Sequence, residues 1–212
     1  MMKTNGSQKD YWNNIGYSKT FAHPFNMERF SILIQKNQRI LDYGCGYGRI
    51  CEELWVHGYH NILGVDTAEK MIERGKEKYP HLPLQVFEQD FHDNFFGAVI
   101  LFTVLTSVPM NDDQEALIRM ISRILRKGGI LYISDLWLQD DDRNRKRYRE
   151  SEDKYRIYGV FELPEGLICR HHNEIWIKKL LSDFEQIDLI DLDIITMNGN
   201  KAKGFQYFGR KL

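Results

Sequence analysis

Five short apolar runs separated by helical patterns constrain this chain more than any other feature. They are residues 39–43 (RILDY), 61–65 (NILGV), 84–87 (LQVF), 97–102 (GAVILF) and 129–134 (GILYIS). Runs this short and this continuously apolar, alternating with helices, belong in a parallel sheet that is covered on both faces. The helix signals fall between them. Asp66-Thr67-Ala68-Glu69 opens one helix with a capping pattern, and Asn111-Asp112-Asp113-Gln114 opens another. The second carries Leu117, Ile118, Ile121, Ile124 and Leu125, a stripe at helical spacing that must face the sheet, and Gly128-Gly129 ends it. Residues 187–197 read as a longer strand, Asn198-Gly199 as a tight turn and residues 203–210 as a returning strand. A hairpin at the end of a parallel sheet forces one strand to run antiparallel.

At 212 residues the chain suits a single α/β domain, 1–212. Its formal net charge of -1 argues against nucleic acid as the main partner, because phosphate binding usually needs a basic face. No stretch has the length of a signal peptide or a membrane span. Cys45, Cys51 and Cys169 match neither a paired metal motif nor a disulfide framework, so reduced thiols and a cytoplasmic location are expected.

Leu41-Asp42-Tyr43-Gly44-Cys45-Gly46-Tyr47-Gly48-Arg49 joins the first strand to its helix. Alternate glycines allow a sharp turn and bring the backbone close to a ligand. The dinucleotide fingerprint GxGxxG needs glycine at position 49, where Arg49 stands. Two further acids close strands. Asp66 can accept from ribose hydroxyls, or cap the helix that follows. Asp90 can accept from an adenine amino group, with Phe91 beside it to cover the ring.

GxGxG preceded by an acid resembles motif I of the class I S-adenosylmethionine-dependent methyltransferases of small-molecule type, and the resemblance extends from about Tyr11 to the final hairpin. It implies a Rossmann-like, doubly wound seven-stranded sheet, mostly parallel with an antiparallel last strand and helices on both faces. It implies S-adenosylmethionine as cofactor and S-adenosylhomocysteine as product. Asp42, Gly44, Cys45, Gly46 and Gly48 would line the methionine moiety, Asp66 the ribose and Asp90 with Phe91 the adenine. Thr67 and Met71 would pack on the adenosine, Phe102 and Thr103 beneath the cofactor. Tyr11, in a Tyr-Trp start, would lie on a helix folded over it. The expected reaction is in-line transfer of a methyl group to a small-molecule acceptor, by a monomer or homodimer with no membrane partner.

The acceptor side is less determined. An N-terminal cap is expected at about residues 8–36, where Tyr17, Phe21, His23 and Phe25 either line an acceptor pocket or pack the helix on the sheet. A lid-like insert is expected at about 136–172. Its charged part, 139–156, reads as a solvated helix laced with ion pairs or as a cover for the site. Methyl transfer from a sulfonium can proceed by positioning and desolvation alone, but a hydroxyl or ammonium acceptor needs a base. Asp135, Tyr155, Tyr158, Glu162, His171 and His172 are candidates, the two histidines foremost, either as catalysts or as residues entering the helix near Asn173. No metal-ligand spacing is present. The alternatives are a non-catalytic S-adenosylmethionine-binding module acting with a partner, and an NAD-type oxidoreductase. Arg49 and the final hairpin speak against the latter.

Overall fold

The computed structural model describes residues 6–14, 16–21, 23–88, 90–196 and 199–212. After α1 (Gly6–Asn14) and α2 (Met27–Leu33), strands and helices alternate: β1 (Ile40–Tyr43), α3 (Arg49–Val56), β2 (Ile62–Asp66), α4 (Glu69–Lys78), β3 (Leu84–Val86), β4 (Phe96–Phe102), α5 (Asn111–Ile124) and β5 (Leu125–Leu136). An insert follows, made of α6 (Asp142–Tyr155), β6 (Val160–Glu162) and β7 (Ile168–Arg170), then α7 (Glu174–Leu180), β8 (Phe184–Ile195) and β9 (Lys201–Lys211).

Seven strands form one sheet in the order β3-β2-β1-β4-β5-β9-β8. β3, β2, β1, β4 and β5 pair in parallel, and β9 runs antiparallel to both of its neighbours. The strand order reverses at β1, which lies between β2 and β4, so a crevice opens beyond the carboxyl ends of β1 and β4.

β4 is buried along its whole length and its side chains alternate between two cores. Val99 and Leu101 pack with Leu117 and Ile121 of α5 and Ile177 of α7. Ala98, Ile100 and Phe102 pack with Phe30 of α2, Ile50 and Leu54 of α3 and Ile72 of α4. Each fully buried Leu, Ile or Phe contributes about 1.5–3 kcal/mol relative to exposure, so these two faces hold the sheet rigid beneath the crevice.

The largest departures from the sequence reading are at the start of β5 and in the final hairpin, the other strand ends shifting by no more than two residues. β5 begins at Leu125, directly after α5, rather than at 129. It opens with a register irregularity opposite Phe96/Ala98, and Gly128 takes the left-handed conformation there (φ +71°). β8 and β9 are longer than expected because they pair with each other from Phe184↔Lys211 to Ile195↔Lys201. The expected turn residue Asn198, with Met197, lies outside the described residues. Beside it, Gly199 has φ +77° and its N–H donates to the Thr196 carbonyl at 2.8 Å.

The insert is closed at its base where Leu138 N–H donates to His172 O (2.8 Å) and His172 N–H to Leu136 O (2.9 Å). Gln8 of α1 ties the N-terminal segment to both halves. Its Nε2 donates to Ser107 O (2.9 Å) and Ile168 O (2.8 Å), and its Oε1 accepts from Ile168 N–H (3.0 Å). Among the described residues, no helix is long and apolar enough to cross a membrane.

Candidate functional site

The glycine loop is fixed by its own backbone and by one carboxylate. Gly44 and Cys45 N–H groups donate to Val65 O at 2.8 and 2.9 Å, clamping the loop to the end of β2. Asp66 Oδ2 accepts from Gly46 N–H (2.9 Å) while Oδ1 accepts from Ala68 N–H (2.8 Å), so one side chain braces the loop and the entry to α4. Burial raises the Asp66 pKa, and these backbone hydrogen bonds oppose the rise. Gly44 and Gly46 are required by geometry. Both have positive φ (+77° and +55°), and a Cβ would meet Val104 Cγ2 at 2.6 Å and Met71 Cε at 3.0 Å respectively.

Asp42 lies beneath the loop, 1% exposed. Its Oδ2 accepts from the Cys51 thiol at 3.3 Å, but its Oδ1 is buried without a partner. Burial pushes this carboxyl up to about 7, with the neighbouring Cys51 hydrogen bond and Arg49 pulling the other way. Across the crevice, Thr103 leaves β4 with φ +58°, an uncommon conformation for a β-branched residue. Its N–H donates to Ser134 O (2.8 Å), holding the strained residue in place.

A single cavity of about 720 Å³ runs from this loop to the insert. Asp42, Gly44, Cys45, Gly46, Asp66, Thr67, Met71, Phe102 and Thr103 all line it, as do Phe21 and His23. His23 is neutral: burial, then Arg49, depress its pKa to about 4, and its Nε2 has no hydrogen-bond partner. His171 lines the insert end of the cavity. Its Nδ1 lies 2.6 Å from Tyr148 Oη, and burial holds it well below the ordinary histidine range.

Other expected site residues stand elsewhere. Asp90 is exposed and paired with Arg123, which also holds Asp93, because the chain after β3 turns toward the carboxyl-terminal end of α5. Phe91 packs between Phe87 and Phe96, and it is Phe87 that reaches the cavity wall. Gly48 caps α3 with φ +82°. Tyr11 is buried in a cluster with Tyr148, Phe161 and Leu167, while its neighbour Trp12 faces the cavity. His172 is walled off: its Nδ1 sits 3.2 Å from Leu136 O and its Nε2 2.9 Å from Gln114, whose Oε1 accepts from Trp176. Burial depresses the His172 pKa to about 3, and its role is to knit the insert to α5 and α7. Asp135, also buried, accepts from Thr106 and Leu136 N–H groups at the same junction. Glu162 pairs with Lys154 and Tyr155. Tyr17 is exposed, Tyr158 packs on Tyr148, and Phe25 packs on Phe30 and Tyr132.

Sequence reasoning expected the insert as a cover but did not single out the residues of the far wall, Arg143, Asn144, Arg147 and Phe161, and it did not expect Val104, Ile194 or Thr196 there. The period of α6 carried a signal, since Arg143, Lys146, Arg147 and Glu150 recur at helical spacing. The hairpin's share depends on the β5-β9-β8 pairing and has no local signature.

A seven-stranded sheet whose only antiparallel strand is β9, with a glycine loop after β1, defines the class I methyltransferase fold. Residues 41–133 match the family described as "Methyltransferase domain". A solved SAM-dependent methyltransferase from Methanosarcina mazei is 26% identical and superposes with a TM-score of 0.82, over 89% of this chain and 98% of that one. The sterol 24-C-methyltransferase of Yarrowia lipolytica is 24% identical over 181 residues, which is 80% of this chain but 45% of that protein. The ubiquinone biosynthesis O-methyltransferase of Coxiella burnetii is 29% identical over 175 residues, 74% of this chain and 68% of that one. The chain therefore spans less than half the length of the sterol relative. Residues 41–133 thus match a methyltransferase domain, and the chain resembles the class I S-adenosylmethionine-dependent methyltransferases, whose cofactor is S-adenosylmethionine.

Proposed function

We propose that this chain transfers the methyl group of S-adenosylmethionine to a small-molecule acceptor held between the glycine loop and the 136–172 insert. The observation that carries the reading is the continuity of the cavity. At about 720 Å³ it falls within the range of pockets that bury drug-sized ligands, and it joins the loop to apolar walls from the insert. The residues fit the cofactor. The unpartnered Oδ1 of Asp42 suits an ammonium, and the Gly44 and Gly46 backbone lining the cavity suits a ligand lying along the loop. Asp66 would meet the ribose while continuing to brace the loop.

When bound, S-adenosylmethionine supplies an electrophilic methyl on a sulfonium. The protein orients the reactants and excludes water, and Leu136, Phe161, Leu163 and Leu167 form the dry wall on the acceptor side. For an acceptor hydroxyl, His171 is the candidate to receive the proton. That role requires the tautomer in which Nδ1–H donates to Tyr148 and Nε2 carries the lone pair. The insert acts as the cover of the acceptor chamber. The names of the sterol and ubiquinone-biosynthesis relatives support an apolar acceptor body, and these walls suit one. The test is release of S-adenosylhomocysteine from S-adenosylmethionine in the presence of fractionated metabolite pools. Acceptor-dependent release that His171→Ala reduces supports the reading, and no release with any pool contradicts it.

A further inference from the structure

The insert's contribution to the cavity carries a charge with no counterpart. Arg147 of α6 lines the chamber, with its guanidinium carbon 3.4 Å from the centre of the Phe161 ring. Its Nε is buried without a hydrogen-bond partner, and no carboxylate is in ion-pairing contact with it among the described residues. Burial of the guanidinium lowers its pKa, as expected for a cation without an anion. A half-buried arginine with no carboxylate partner is costly, because its desolvation is offset only by neutral groups, the Phe161 ring and the side chain of Tyr148.

The cations around it have the same sign. Arg143 and Lys146 line the cavity on the same face of α6. The facing carboxylates are mostly engaged. Glu150 lies 3.7 Å from Lys146, and Glu162 accepts from Lys154 at 2.8 Å. Glu165 is exposed on the turn between β6 and β7, and Asp141 is 3.9 Å from Arg143. Around this cluster the walls are apolar: Phe161, Leu163, Leu167, Leu136 and Ile194. At the opposite end of the cavity Arg49 stands beside the glycine loop, where its Nη2 donates to His23 O at 2.9 Å. The cofactor end thus has a cation of its own.

We infer that the acceptor is an amphipathic anion, its carboxylate or phosphate group bound by Arg147, with Arg143 and Lys146 adding to the field, and its apolar body against the walls of the insert. Arginine suits this task because its planar fork meets both oxyanions bidentately. The unpartnered Oδ1 of Asn144, one turn earlier on α6, is then available to a hydroxyl or N–H of the same ligand. The identity of the occupant as acceptor rests on the methyl-transfer reading, but the anion site itself does not.

The test uses the full chain, with and without S-adenosylhomocysteine, titrated calorimetrically with octanoate, octyl phosphate and 1-octanol. At least one anion should bind saturably, and octanol at least about tenfold more weakly, as a charge-assisted hydrogen bond implies. Which anion binds more tightly distinguishes a carboxylate from a phosphate acceptor. Arg147→Gln should abolish the preference for the anion while leaving affinity for S-adenosylhomocysteine unchanged, and Arg147→Lys should restore part of it. If Arg147→Gln does not fold, the exposed pair Arg143→Gln and Lys146→Gln should still weaken anion binding several-fold. Octanol binding as tightly as octanoate, neither anion binding, or variants that bind anions like the unaltered protein would overturn the inference. Loss of S-adenosylhomocysteine binding in Arg147→Gln would overturn it too, by assigning the arginine to the cofactor. Failure of the unaltered protein to bind S-adenosylhomocysteine, with anion binding intact, would instead count against the methyltransferase reading.

Discussion

Asp42→Asn should make the empty protein more stable and its cofactor affinity weaker. The carboxyl is fully buried, one oxygen has only a thiol partner and the other none, and burial moves its pKa from 3.8 to about 7. A shift of that size corresponds to a penalty on the order of 4 kcal/mol for the ionised form. The sign follows from proton counting. Between about pH 4 and 7 the folded state holds a proton that the unfolded state has lost, so stability falls as pH rises through this window. Asp135, also raised to about 7, adds the same slope to both proteins and cancels from their difference. The amide is isosteric and uncharged, so the variant should gain about 1–4 kcal/mol at pH 8, as replacing a buried charge commonly does. At pH 5 most of the gain should vanish, because Asp42 is then protonated in the folded protein. Affinity for S-adenosylhomocysteine should fall by about 1.5–3 kcal/mol at pH 8, the range for a hydrogen bond to a charged group. Urea denaturation at pH 5 and pH 8, with calorimetric titration at both, measures each arm. A variant that is less stable at pH 8 and binds the ligand normally would refute the reasoning.

Three further substitutions separate the roles around the loop. Gly44→Ala puts a Cβ 2.6 Å from Val104 at φ +77°, so denaturation should show a loss of at least about 1–2 kcal/mol, and ligand affinity should drop with it. Asp66→Ala unpairs the Gly46 and Ala68 N–H groups. Thermal stability and S-adenosylhomocysteine affinity should both decline, and an affinity that stays put would confine Asp66 to bracing. Asp90→Asn loosens an exposed pair with Arg123, so stability should change by no more than about 1 kcal/mol and titration should return unchanged affinity.

The parallel strands and the antiparallel last strand were legible because they depend on local signals: five continuous apolar runs, a helical stripe from Leu117, and a turn signal before β9, although the stripe was read through Leu125, which begins β5. Much of the cavity lining around the glycine loop was legible for the same reason, since Asp42, Gly44, Gly46 and Asp66 sit at strand ends whose register the apolar runs specify. Asp90 was not. A carboxylate after β3 reads the same whether it faces a cavity or Arg123 of α5, and that choice depends on how the loop turns. His171 and His172 were equally ambiguous. Adjacent residues leaving β7 point to opposite sides, one toward Tyr148 and the cavity, the other toward Gln114 and the core. The insert end of the cavity was least legible, because α1, the insert and the β8–β9 hairpin meet only in three dimensions.

The most direct test of the central claim is calorimetric titration of the full chain with S-adenosylhomocysteine and, separately, with NAD. Saturable one-to-one binding of S-adenosylhomocysteine is expected, tightening as pH rises from 5 to 8 because Asp42 must ionise to meet the ligand's ammonium, with no response to NAD. Saturable NAD binding without a response to S-adenosylhomocysteine would contradict it.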